Sequence, residues 1–366
     1  LAAAVLFLVH PTVCESVCWV IEQNNILPVL FGLLALEFYS RGADRPPTWQ
    51  RAAGAAGFLL GAQMSKASGI SWPFILVAWD ALLAPGAGQG WARRAGRALL
   101  LTAPAVLTLY VTQVSHSEVA MPPLGTPPWG PWLMSPYLFL RHLGLLVWPV
   151  GLSAFYHVSP VGPAWTVAAL PALAVGAGAL IALRTGVPGR RLAFLGLWLV
   201  LAVGPVVNPV VSTSFVLQDR YTYPALAALA LLVGEVLALA AARWGGRRVW
   251  APAAALAAVL LGLALARSSD WRGEERLFAD AARAEKQGAS AFGHAYLASF
   301  LFHGSRDVAD PLQQRARLEA ALRQHEQALT CDDFDRLIFP FHYLVEHASL
   351  RMTLYPAQTQ AAGGLL

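Results

Sequence analysis

The string Gln218-Asp219-Arg220-Tyr221-Thr222-Tyr223-Pro224 lies between two long apolar runs, residues 192 to 210 and 222 to 242. An acid, a base and two tyrosines at the rim of a membrane span must be paired, wet or in contact with a charged ligand, because burying them alone costs several kcal/mol. Three other polar islands interrupt the apolar chain: His10-Pro11 to Glu22, Ser65-Lys66, and Arg141-His142 through Tyr156-His157. Their chemistry is complementary. Lys66 and Arg220 suit a phosphate, arginine as a planar fork and lysine as a point charge. Glu15, Glu22 or Asp219 could take a proton from an attacking hydroxyl if desolvation lifts a carboxylate toward neutrality. Tyr221, Tyr223, Trp19 and Trp148 could stack on a sugar or form an interfacial belt.

Each island also has a structural reading. Lys66 can snorkel to the headgroups, Asp219 and Arg220 can be an ion pair that fixes a helix end, and His10-Pro11 can simply end a helix. Glu15 and Glu22 are seven apart, so on a continuous helix they share a face with Trp19 and Cys18. His10, Cys14 and Cys18 would form a zinc-like stripe on that same helix, but Pro11 breaks its continuity and no fourth ligand is in sight. Small residues in helix packing account better for the cysteines. No metal site and no cofactor are expected.

The elements that hold these islands follow from composition. Of 366 residues, 57% are hydrophobic and 13% charged, and mean hydropathy is +0.52, so the bilayer is the expected solvent. Runs near spanning length occur at 26 to 40, 52 to 66, 69 to 84, 98 to 115, 164 to 183, 192 to 210, 222 to 242 and 249 to 266. Leu1 to Val9 reads as a ninth, cut-off span, and the chain is expected to be truncated at its start. Arg41, Arg45 and Arg51, then Arg93, Arg94 and Arg97, then Arg184, Arg190 and Arg191, then Arg243, Arg247 and Arg248 mark four cytoplasmic loops. The alternate connections carry only Lys66, Arg141 and Arg220. Parity then makes residues 136 to 150 interfacial or re-entrant rather than spanning. The net charge of +5 belongs to the loops and gives no argument for nucleic acid.

The sequence therefore predicts an all-α protein: a polytopic membrane bundle over 1–267, then a small extracytoplasmic helical-hairpin domain over 268–366. In that tail Glu274 to Lys286, Ala291 to His303, Leu312 to Leu329 and Phe334 to Arg351 carry apolar residues at helical spacing. Ala295-Tyr296-Leu297, Gly304, and Ala321-Leu322 through Ala328-Leu329 have the large-small order of a tetratricopeptide repeat, with Val308 to Gln314 inserted. The expected setting is a multi-pass protein of a bacterial inner membrane.

The block His10-Pro11-x3-Glu15-Ser16-Val17-x-Trp19-x2-Glu22 resembles one of the same shape in bacterial transmembrane and tetratricopeptide-repeat proteins, relatives of the animal O-mannosyltransferases of that design. Ser65-Lys66 with Pro73 and Asp80, Trp148-Pro149-Val150 to Phe155-Tyr156, Asp219 to Pro224, and Trp271 with Leu277-Phe278 are similar to its further blocks, in the same order. The chain departs from the pattern at Gln23-Asn24, where relatives carry Arg-Lys, and at Pro224, which follows Tyr223 without an intervening Leu. The resemblance implies a polytopic glycosyltransferase of the C type (GT-C). Such an enzyme moves a sugar from a polyprenyl-phosphate donor to an acceptor hydroxyl of a protein or glycan at the outer face. It implies that Arg220 and Lys66 hold the lipid phosphate, that Asp219 orients Arg220, and that Glu15 with His10 borders the sugar pocket. It also implies a catalytic acidic pair in a loop upstream of Leu1, leaving Glu15 and Glu22 as the candidates in this chain. Two other classes compete. One is a non-catalytic membrane scaffold whose helical tail recruits partners. The other is a transporter, which needs ionisable residues near the bilayer midplane, whereas the spans offer only Glu37 and Glu235 near their ends.

Overall fold

Without water, backbone N–H and C=O groups in long Ala, Leu and Val runs are satisfied internally only by helices or closed barrels. In the computed structural model the described residues are 1–42, 46–84, 90–116, 130–156, 187–207, 217–283, 291–331 and 340–355, and among them every regular element is helical. The expected span at 164 to 183, with Arg45, Arg184 and His157, lies outside the described residues. The helices are α1 (Ala2–Val9), α2 (Val13–Cys18), α3 (Ile26–Ser40), α4 (Trp49–Ser65), α5 (Ser71–Leu82), α6 (Trp91–His116) and α7 (Gly130–Val147). After these come α8 (Val187–Val203), α9 (Tyr223–Trp244), α10 (Gly246–Asp270), α11 (Glu274–Ala281), α12 (Ala291–Gly304), α13 (Pro311–Leu329) and α14 (Pro340–Leu354).

Among the described residues three stretches are long and apolar enough to cross a bilayer, Gly189–Val206, Asp219–Trp244 and Gly246–Asp270, with Ala67–Leu82 a shorter apolar one. The 15 residues of α3 give about 22 Å at ~1.5 Å per residue, short of the ~30 Å hydrocarbon core. Exposed apolar side chains run along α10 at Leu256, Val259, Leu261 and Leu265, and along α6 at Leu99, Val106 and Leu107. Such broad apolar faces are the mark of a protein made for a lipid or protein surround.

The bundle core is built by α3 on α4, α4 on α6, α5 and α9 on α8, and α1 and α10 on α9. Trp72 and Trp198 meet edge to face with centroids 5.2 Å apart. Gly32 makes room for them, since a Cβ there would overlap the Trp72 indole. Farther along α5, Arg97 donates to both oxygens of Asp80 at 3.1 and 3.0 Å and to the Tyr39 hydroxyl at 3.1 Å. Arg97 is thus a buried helical residue of α6, not a loop cation. The segment expected at the interface, 136 to 150, forms most of α7, which buries Leu138, His142, Leu145 and Leu146 and packs on α8 and the turn Asp219–Thr222.

In the tail, consecutive helices pair: α11 with α12, α12 with α13, α13 with α14. Ala321 and Ala328 are wholly buried between them. Gly293 lets α12 approach the end of α11, where a Cβ would stand 2.6 Å from the Ala281 carbonyl oxygen. The tail is docked on the bundle. Phe155, from the loop after α7, stacks on Tyr296 at 5.2 Å with the rings 4° from parallel, and on Phe292 and Phe278 beyond.

Candidate functional site

The polar islands coincide with helix breaks. His10 is extended ahead of Pro11, as a residue before proline must be. Trp19 is extended between α2 and the 3-10 turn Val20–Asn25. Lys66 is extended after α4, and Gln218 is extended before the 3-10 turn Asp219–Thr222 that leads into Pro224 near the start of α9. Glu15 and Glu22 therefore do not share one helical face. The break at Trp19 instead turns both carboxylates onto one guanidinium.

Arg220 is that group. Its Nη1 and its backbone N–H both bond Glu15, the latter at 2.9 Å, and its Nε stands 3.4 Å from Glu22 Oε2. Lys66 Nζ donates to the same Glu22 oxygen at 2.9 Å and to Asn24 Oδ1 at 3.3 Å, and Asn25 Nδ2 adds a 2.6 Å bond. One carboxylate oxygen is thus shared by the two cations expected to hold a phosphate. Burial pushes the Glu22 carboxyl up, but the charges of Arg220 and Lys66 and the bonds from Lys66 and Asn25 outweigh it, holding the group below its ordinary range. Glu15 is fully buried, while the Lys66 and Glu22 side chains keep 24% and 13% of their exposure. The Arg220 guanidinium lies 5.5 Å from the Trp19 ring centroid and 5.1 Å from that of Tyr221.

Asp219 does not orient Arg220. It accepts from the Tyr156 hydroxyl, which itself accepts from the Ser153 N–H at 3.0 Å, and it pairs with Arg267 Nη2 at 3.4 Å. Arg267 Nη1 reaches Asp280 at 3.1 Å and Asp270 at 3.3 Å. The orienting partner of Arg220 is Glu15.

Two expected residues lie apart from this cluster. His10 donates from Nε2 to the Leu146 carbonyl at 2.9 Å, leaving Nδ1 to accept from the Thr12 hydroxyl, so it ties α1 to the end of α7. Tyr223 packs on Phe7 at 5.1 Å inside the bundle. Cys14 donates to the Ala264 carbonyl and Cys18 is exposed; both are free thiols. Trp148 stands largely exposed. No grouping of three His, Cys, Asp or Glu side chains able to hold a metal occurs among the described residues.

Arg267, Asp280 and the bonding role of Tyr156 were not anticipated from sequence. A signal for Arg267 exists: it is a cation within the last turn of an apolar helix, where burial demands a partner, and Asp270 follows at i+3. Comparison of the chain with models of known families, with curated proteins and with solved structures finds no match.

Proposed function

We propose that the chain serves as a membrane glycosyltransferase of the C type, which takes a sugar from a polyprenyl-phosphate donor and joins it to a hydroxyl of a protein or glycan on the extracytoplasmic side. The observation that carries this reading is the shared oxygen of Glu22. It occupies the point on which Lys66 and Arg220 converge at 2.9 and 3.4 Å, with the Trp19 ring over the Arg220 guanidinium and the Lys66 side partly exposed. A phosphate oxygen displacing that carboxylate would meet a point charge and a fork already aimed by Glu15. In the reaction the bond from sugar C1 to the phosphate oxygen breaks with its electrons going to phosphate. Lys66 and Arg220 stabilise that charge as it develops. The acceptor oxygen bonds C1 and its proton leaves to a base. Glu15 and Glu22 suit that last task poorly, because the first spends both oxygens on Arg220 and the second is held ionised by two cations. Glu15 is therefore the group that orients Arg220, and Glu22 holds the place that the donor phosphate takes.

The test is binding and transfer of a radiolabelled polyprenyl-phosphate sugar by the protein in membranes. Lys66→Ala is expected to weaken donor binding about tenfold or more, the value of one charge-assisted contact, and Arg220→Lys to weaken it as well by loss of the fork. Unaltered donor binding in both would overturn the proposal. A second reading, a non-catalytic scaffold with the helical tail as its docking unit, draws on the fact that Lys66, Arg220 and Arg267 are each matched by carboxylates. It is supported instead if neither variant nor parent binds donor while the tail captures a protein partner.

A further inference from the structure

Lys66, Arg220 and Arg267 are each held by carboxylates near the start of α9. The arginines at its far end are not. They lie beyond the 22 residues of α9, or about 33 Å away at ~1.5 Å per residue, roughly one hydrocarbon thickness. Arg190 and Arg191 stand near the start of α8, Arg243 in the last turn of α9, and Arg247 and Arg248 in the first turn of α10. All five are exposed. Arg191 has Glu235 at 3.3 Å, and no carboxylate pairs with the other four among the described residues.

Helix stability accounts for only one of the three at the α9–α10 turn. Arg243 lies at a C-terminus, where the helix dipole favours a cation, but Arg247 and Arg248 lie at an N-terminus, where it repels one. The turn itself is tight. Helix α9 ends at Trp244 and α10 begins at Gly246, joined by Gly245 alone at φ +91°, a conformation that L side chains rarely adopt. Three arginines are therefore fixed within the six residues 243 to 248, and the exposed indoles of Trp244 and Trp250 flank them. Away from the turn the same two helices expose Val236 and Leu239, and Leu256 and Val259, on stretches apolar enough to cross a bilayer.

A partner for this end must present anionic oxygens to guanidinium forks, accept tryptophan at its boundary and lay alkyl chains along both helices. We propose that the α9–α10 turn binds the headgroup of an anionic phospholipid, with Arg243, Arg247 and Arg248 on its phosphate and Trp244 and Trp250 at the level of its ester groups. A water-soluble acidic partner would leave the apolar faces unmet, and a neutral lipid would leave the charge unmet. Positive charge in a connection also sets orientation during insertion, but only binding makes it a lipid preference of the folded protein. The inference is independent of the transferase reading.

Binding of tritiated dioleoyl phosphatidylglycerol to the full chain in dodecyl maltoside tests it, with unlabelled dioleoyl phosphatidylcholine and inorganic phosphate as competitors. Saturable binding is expected that neither competitor displaces at equal concentration and that weakens as salt is raised. An arginine at an anionic surface is worth about fivefold, so the combined Arg243→Gln, Arg247→Gln and Arg248→Gln variant should bind about a hundredfold more weakly. Lysine at the same three positions keeps the charge and should retain most of the binding, and Lys66→Ala should leave it unchanged. Equal displacement by the choline lipid, displacement by free phosphate, or unaltered binding in the glutamine variant would overturn the proposal, as would the absence of saturable binding in a folded parent. The competition in the parent decides the matter even where the glutamine variant inserts poorly.

Discussion

At the scale of single residues, the site is a chain of alternating charges, and exposure decides what each link is worth. Glu15 is wholly buried and is the main partner of an arginine that is itself 7% exposed. Removing Glu15 strips Arg220 of its fully buried partner and leaves only the more exposed Glu22 near it, a loss that approaches the about 3–5 kcal/mol of a broken buried pair. Glu15→Ala is accordingly expected to lower the thermal midpoint of the detergent-solubilised protein sharply. Lys66→Ala, at the open end, should cost less than about 1 kcal/mol in the same measurement. Equal losses for the two would contradict the assignment of Glu15 as the structural anchor and Lys66 as the ligand-facing group. The charged residues of this cluster are legible in the sequence because so few charges interrupt the apolar chain. Their pairing is not legible, because it depends on backbone breaks at Trp19 and Gln218 that no spacing rule reveals. A continuous helix would have put Glu15 and Glu22 on one face; the extended Trp19 brings them to one cation from two directions.

At the scale of elements, helices are readable where apolar periodicity is long, as in α9 and α10, and their ends are readable where a cap is present, as at Thr48, whose hydroxyl accepts from the Arg51 N–H. What composition conceals is which helices are buried by each other. The pair α13 and α14 shows the consequence. His325 is wholly buried on α13 and faces Glu346 and His347 of α14, with Glu346 also bonded by Ser299 and His303. Burial pushes the His325 imidazole down from 6.5 to about 4, with the His347 ring acting in the same sense and Glu346 opposing. Between those values the unfolded chain binds the extra proton. The stability held above pH 6.5 is therefore lost progressively as pH falls toward 4, by about 3 kcal/mol at most. Hydrogen exchange of α13 and α14 across that range should accelerate in the parent and change less in His325→Leu, with a smaller residual slope from His347, which is also lowered. A parallel fall in both proteins would place the acid sensitivity elsewhere.

At the scale of the whole molecule, the contacts between tail and bundle among the described residues include two of unlike kind, the stacked ring of Phe155 and the guanidinium of Arg267. The sequence divides the chain near residue 267 by composition, yet α10 continues to Asp270 and its last turn is shared property. Arg267 holds Asp219 of the turn before α9 with one amino group and Asp280 of α11 with the other. The two carboxylates thus draw on one cation, and substitutions at the three positions should not behave alike. Asp280→Asn takes away only the tail's claim, so Arg267 remains neutralised by Asp219 and Asp270. Hydrogen exchange in α11 and α12 should rise while that of α3 to α5 and the donor binding proposed for Lys66 and Arg220 stay unchanged. Arg267→Ala strands both buried carboxylates, at about 3–5 kcal/mol, and should loosen the tail and perturb the Asp219 turn together. Phe155→Ala removes ring packing without touching charge; at about 3–5 kcal/mol for a buried phenylalanine, it should undock the tail further in an Asp280→Asn background than in the parent. If Asp280→Asn perturbed the Asp219 turn as fully as Arg267→Ala does, the tail would be acting on that turn by some route other than their shared arginine.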